Sequence, residues 1–282
     1  MINVGNVNVL RVTDEYPFGF HLHTTQPDST ASEAVLLSHE NAPDGLKVDD
    51  VVSMYVATNQ QGDLIAWPTP PQLLVGEVGP LKAVSATHFG AFFEWGGQQD
   101  LLVPKDWQET PVNPGMQYIV HVFHDEKTNR LLGATRLHRF YSETSAYLTS
   151  GQPVDCLVYA KTELGFKVLI NKQALGLLFH SDAYKPLKVG DNTSAVIKQV
   201  RDDGKIDVVL QRDDDAGRDA LQQAIVEDLI AHGGLSTLTD KSKPEDIYAR
   251  FDVSKGAYKK ALGALYKRKV ITLTDGAIRL VK

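Results

Sequence analysis

A glycine set among large apolar residues recurs three times along this chain, as Phe18-Gly19-Phe20, Phe89-Gly90-Ala91-Phe92-Phe93 and Leu164-Gly165-Phe166-Lys167-Val168. Each copy sits in sequence where Val, Ile, Phe and Trp alternate with polar residues at a period close to two, the pattern of strands buried on one face. A glycine at such a point lets a strand coil sharply while its neighbours keep their rings presented. That combination restricts the chain to small, strongly bent antiparallel barrels. The second copy is the fullest, running from Val75 through Phe89-Gly90-Ala91-Phe92-Phe93 to Leu101-Leu102-Val103.

The surrounding sequence repeats with the motif. In residues 1–70, strand-like runs at Val4–Val12, Phe18–Leu22, Ala34–Leu37, Val51–Val56 and Leu64–Trp67 are joined by polar segments, the longest from Thr24 to Ser32. Pro68, Pro70 and Pro71 cannot donate to a ladder and close the unit. Residues 71–144 and 145–212 restate the order, ending in the turns Asp125–Arg130 and Arg201–Lys205 and a last strand. Five strand-like runs in about 70 residues is the size of a five-stranded Greek-key barrel.

Residues 213–282 change period. Asp213-Asp214-Asp215-Ala216-Gly217 reads as a linker, and Ala220, Leu221, Ala224, Ile225, Leu229 and Ile230 then follow helical spacing, with Asp219 as cap and Gly233-Gly234 as stop. Ser242-Lys243-Pro244-Glu245 reads as a capping box opening a helix over Asp246–Phe251. Ser254 caps a third helix that carries Ala257, Ala261, Leu262 and Leu265, and two short strands follow around Thr274-Asp275-Gly276. Helix, helix, helix, hairpin is the order of a winged helix-turn-helix.

Net charge of −6 conceals an asymmetry, because Ala216–Lys282 holds 12 Lys+Arg against 8 Asp+Glu. A basic end on an acidic body is the balance expected where a polyanion is held mainly near the C-terminus. The single cysteine, Cys156, lies between Val154 and Val158 and reads as core; it excludes an intrachain disulfide or a CxxC zinc knuckle. No apolar run approaches the roughly 18 residues of a membrane helix, and Met1-Ile2-Asn3-Val4 leads straight into strand-like sequence, so the expected location is the cytoplasm.

With these elements in order, the chain resembles the virulence factor B-like bacterial RNA-binding proteins. The resemblance rests on His88–Phe92 and Asp100–Pro104 in the second unit, Pro186–Asp191 and Asp203–Asp207 in the third, and Lys259–Lys267 in the tail. It implies a mainly β chain with α: three tandem S1-like OB-fold five-stranded barrels and a C-terminal winged helix. It further implies that Phe89 and Phe92 are stacking rings, with Phe18, Phe20 and His21 in similar positions in the first unit and Phe166 and Lys167 in the third. S1 domains often carry a histidine after a Gly-Leu-Val-type strand; that place holds Leu37, Val103 and Phe179 here, with His180 one position on. An offset of one residue points a strand side chain to the opposite face.

The expected interface therefore comprises Phe18, His21, Phe89, Phe92, Phe166, Lys167, Phe179 and His180 for stacking and edge contacts. Lys198, Arg201, Lys255, Lys259, Lys260, Lys267 and Arg268 are expected to contact phosphates. Phe20 and Phe93 read as core. The histidine pairs His21/His23 and His121/His124 complete no metal-ligand set, no GxxxxGK[ST], GxSxG or HExxH motif occurs, and no stretch is left over for a catalytic core. The expected activity is non-catalytic binding of single-stranded RNA in post-transcriptional regulation, with no cofactor and no membrane. The alternatives are a protein-docking adaptor of RNA-processing or translation machinery, or a winged-helix DNA-binding regulator.

Overall fold

The computed structural model describes residues 1–25, 34–59, 61–183, 185–210, 215–251, 253–274 and 276–281. Most of the Thr24–Ser32 loop, the linker residues Asp213 and Asp214, and Asp275 of the terminal turn lie outside the described residues. The chain divides into two units, Met1–Phe140 and Tyr141–Lys282.

The first unit opens with β1 (Asn6–Tyr16), β2 (Gly19–Thr24), β3 (Val35–Ser38), β4 (Val51–Thr58) and β5 (Leu64–Trp67), closed into a barrel of order β1-β2-β3-β5-β4. Leu10, Val12, Phe20, Leu22, Leu37, Met54 and Val56 alternate inward to fill it. The register of β1 against β2 shifts between Val12 and Asp14, after which the strand leaves β4 and follows β2. One extra residue bends and twists a strand enough to serve both neighbours.

Five strands then repeat that plan: β6 (Val78–Ala86), β7 (Gly90–Glu94), β8 (Leu101–Pro104), β9 (Gln117–Asp125) and β10 (Arg130–Ala134). The expected closed barrel is here a half-barrel, of order β10-β9-β6-β7-β8, with no ladder joining β8 to β10. Gln108 Nε2 donates to the Val103 carbonyl at 2.9 Å. Side-chain packing covers the seam instead, and a Cβ on Gly133 would lie 2.7 Å from Val103 Cγ2.

The second unit holds a closed barrel of order β11-β12-β13-β15-β14, made of β11 (Pro153–Lys161), β12 (Gly165–Ile170), β13 (Ala174–Phe179), β14 (Asn192–Val200) and β15 (Ile206–Val209). Ser142 and Thr144 bridge to Ala174 and Lys205, so the segment before β11 lies on this barrel. Cys156 is 2% exposed in its core, and burial pushes its thiol up to about 12.

The tail folds as α1 (Asp215–Ala231), β16 (Leu235–Ser236), α2 (Pro244–Phe251), α3 (Lys255–Lys267), β17 (Ile271–Thr274) and β18 (Ala277–Leu280), with sheet order β16-β18-β17. The helix therefore starts four residues before the expected cap, and Asp219 lies inside α1. Gly233 and Gly234 do end it: both have positive φ, and the Gly234 N–H donates back to the Leu229 carbonyl at 2.7 Å. Ser254 caps α3 by accepting from the Ala257 N–H at 3.1 Å. The Ser242 hydroxyl instead accepts from the Thr239 N–H at 2.8 Å, closing a turn ahead of α2. Ile225, Leu229, Ile247, Tyr258, Leu262, Leu265 and Ile278 form the core of this module.

Candidate nucleic-acid interface

The three recurring glycines occupy one position in the three barrels: the start of the second strand, where it crosses the third. A Cβ on Gly19, Gly90 or Gly165 would lie 2.2, 2.7 or 2.1 Å from the carbonyl oxygen of Leu37, Val103 or Leu178. Backbone approaches this close exclude any side chain. The turn before the glycine is also shared by two barrels. Thr87 Oγ1 donates to the Gly90 carbonyl at 2.9 Å, and Thr162 Oγ1 to the Gly165 carbonyl at 3.0 Å.

This superposition settles which residues point outward. The residue before each glycine stands at the hairpin tip, with Phe18, Phe89 and Leu164 exposed by 59%, 50% and 65%. The residue after each glycine (Phe20, Ala91, Phe166) points into the core, and the next (His21, Phe92, Lys167) is half-buried on the outer face. Phe166 is therefore not a stacking ring: it is 6% exposed and packs with Val168 and Leu178. A one-residue difference in register moved it to the opposite face from Phe92.

In the first barrel, Tyr16 and Phe18 stack with centroids 5.3 Å apart and planes 6° apart, and His21 lies 4.6 Å from Tyr16. These three rings form an exposed platform, of which Tyr16 was not anticipated. In the second, Phe89 packs edge-on between His88 and Phe92, at 5.2 and 5.9 Å.

The ladder also corrects the alignment of the third strand. Gly19, Gly90 and Gly165 face Ser38, Pro104 and Phe179, so Phe179 matches Ser38 and Pro104, whereas Leu37 and Val103 match Leu178. His180 then corresponds to His39. Each ring is edge-on to the core phenylalanine of its barrel, His39 to Phe20 at 4.9 Å and His180 to Phe166 at 5.0 Å. Each also bonds the hairpin-tip backbone, His39 Nε2 at 2.7 Å from the Tyr16 carbonyl and His180 Nε2 at 3.1 Å from that of Thr162. These histidines pin the tip to the third strand.

The outer face of β12 and β13 in the third barrel carries a cleft of about 510 Å³ lined by Tyr159, Thr162, Leu164, Lys167, Leu177, Arg201, Lys205 and Asp207. Face and flanking loops are those through which OB-folds take oligonucleotides. Its charges are balanced, with Lys167, Arg201 and Lys205 against Glu143, Glu163 and Asp207. Arg201 is held by Asp207, which is 2% exposed, and Lys198 donates to Asp182 at 2.8 Å. Burial pulls the Asp207 carboxyl up, but hydrogen bonds from Arg201 and Gln199 outweigh it and hold the group below the usual carboxylate range. The Arg201 guanidinium also lies 5.6 Å from the Phe179 ring centroid.

On α3, Tyr258, Ala261, Leu262 and Leu265 face the core, and Lys259, Lys260, Tyr266 and Lys267 are exposed. Gly256 and Gly263 lie on the same outer stripe, and a Cβ on Gly263 would meet nothing within 4 Å. Two of the expected cations are tethered instead: Lys255 Nζ donates to the Ser242 carbonyl at 2.8 Å, and Arg268 Nη1 to Gln222 Oε1 at 3.3 Å. Tyr266 was missed; its signal is its place in the i, i+7 row with Lys259.

Residues 223–280 match the CvfB-like winged helix domain. Conserved virulence factor B of Staphylococcus saprophyticus is 27% identical over 296 residues, covering 99% of this chain and 95% of that protein. Over nearly its whole length the chain is similar to the conserved virulence factor B proteins. The Staphylococcus aureus (bovine strain) protein of that name is 25% identical over 260 residues, 87% of this chain and 84% of the other. These virulence factor B relatives do not bear the names of enzymes. A solved multidomain protein with nucleic acid binding domains from Streptococcus pneumoniae aligns over 99% of this chain and 98% of its own, at 22% identity and a TM-score of 0.41. Among the described residues, no helix is long and apolar enough to cross a membrane.

Proposed function

We propose that this chain is a non-catalytic regulator that binds single-stranded RNA and acts on gene expression after transcription. Its third barrel and winged helix carry the grip. The observation behind this reading is the cleft on the β12–β13 face, bounded by the Thr162–Leu164 and Arg201–Lys205 loops and floored by Leu177 and Lys167. An outer α3 face bearing Lys259, Lys260, Tyr266 and Lys267 supplies cations and a ring in the same unit. Rings stack on unpaired bases irrespective of sequence, and lysines follow the backbone at the cost of salt sensitivity.

The test is fluorescence anisotropy with labelled single-stranded RNA, single-stranded DNA and duplex DNA at two salt concentrations. The expected result is submicromolar to micromolar affinity for unpaired RNA that falls steeply as salt rises, with duplex DNA bound far more weakly. Preference for duplex DNA would transfer the function to the winged helix as a DNA reader. Absence of binding to every oligonucleotide at low salt would leave protein docking as the role.

A further inference from the structure

Within the unit Met1–Phe140, the β7–β8 face of the second barrel looks across a cleft of about 690 Å³ at the β4–β5 face of the first. The first barrel contributes Tyr55 and Trp67, cross-strand partners whose rings are 6.2 Å apart. The second contributes Phe89 and Phe92. Arg130 and Asp100 are the charged residues of the lining, and the rest is apolar or neutral polar.

Tyr55 is 4% exposed, and its hydroxyl is buried with no hydrogen-bond partner among the described residues. A polar atom shut away without a partner is rare in folded proteins and calls for a reason. Burial also pushes the ionisation of this hydroxyl upward, so it stays an O–H donor. Rings from two barrels thus meet beside a buried hydroxyl that has no hydrogen-bond partner among the described residues.

We propose that this cleft is a base-binding slot: an unpaired nucleobase enters between the rings of the two barrels and accepts a hydrogen bond on its edge from Tyr55 Oη, with its phosphate toward Arg130. The proposal rests on the reading of the chain as a single-stranded RNA binder and adds a second contact region, distant in sequence from the third barrel. A flat ligand with polar edges and one associated phosphate suits walls that are aromatic, a floor that is a lone donor, and a lining with a single cation. It also gives the second barrel a different task from the third, where the cleft is lined by six charged side chains.

Ultraviolet crosslinking of the full chain to a short single-stranded RNA containing 4-thiouridine, followed by peptide mapping, tests it. Crosslinks are expected within residues 55–71 and 88–102. The variant Tyr55→Phe keeps the ring and removes only the unpartnered hydroxyl, so it should melt no lower than the parent and bind the same RNA about threefold to tenfold more weakly. Crosslinks confined to residues 141–282, or Tyr55→Phe binding as tightly as the parent, would overturn the slot and leave RNA binding by the second unit standing. Absence of any binding by the parent would overturn both.

Discussion

Arg201 grips Asp207 with two hydrogen bonds, Nη2 to Oδ1 at 2.6 Å and Nε to Oδ2 at 2.9 Å. A cation expected to meet phosphate is thereby committed to a carboxylate that the barrel has buried. Removing one partner of such a pair leaves the other charge without its counter-ion, which costs more than the pair contributes. Arg201→Ala is expected to lower stability, by less than for a fully buried pair because the arginine side chain is partly exposed. Urea unfolding at neutral pH measures it. Because the folded Asp207 has a depressed pKa, the stability it contributes is present above the unfolded carboxylate value and lost as pH falls through the folded one. The parent and Arg201→Ala should therefore converge in acid.

Phe166 and Phe18 separate packing from display. Phe166→Ala opens a cavity in the third barrel and should cost about 3–5 kcal/mol. Phe18→Ala, at a site 59% exposed, should change stability by no more than about 0.5 kcal/mol. If its ring stacks a base, RNA binding should weaken by about 1–3 kcal/mol. Thermal melts and anisotropy on the two variants check both halves.

His121 carries a pH dependence of its own. It is 7% exposed against Phe140, ring centroids 4.1 Å apart, in a cluster with Trp107 and Phe123. Burial lowers its pKa from 6.5 to about 4. The unfolded chain therefore binds a proton that the folded chain refuses between those values, and stability falls as pH drops from 6.5 toward 4. His121→Phe should flatten the urea midpoint between pH 6.5 and pH 5, where parent carboxylates are still ionised. A parent midpoint that is already flat over that interval would contradict the assignment.

Gly263 sits mid-helix in α3 without positive φ and with open space where a Cβ would go. Gly263→Ala should stabilise the winged helix by about 0.5–1 kcal/mol. The same methyl group stands on the face with Lys259 and Tyr266. A variant that melts higher but binds RNA less tightly would mark this face as one that a backbone approaches closely.

Much of this architecture was readable from local pattern. Three glycine-centred strand units, a change from period two to period 3.6 after residue 212, and a Ser254 cap are properties of neighbouring residues, and local sterics act on neighbours. The tertiary structure decided what depends on register and on contacts distant in sequence. Whether Phe166 is displayed or buried turns on one residue of offset from Gly165. Lys198 is matched by Asp182 in the third barrel. The Tyr55 hydroxyl is buried without a partner among the described residues although Tyr55 lies outside the core of the first barrel, and the residues that share its cleft, Phe89, Phe92 and Arg130, are distant from it in sequence.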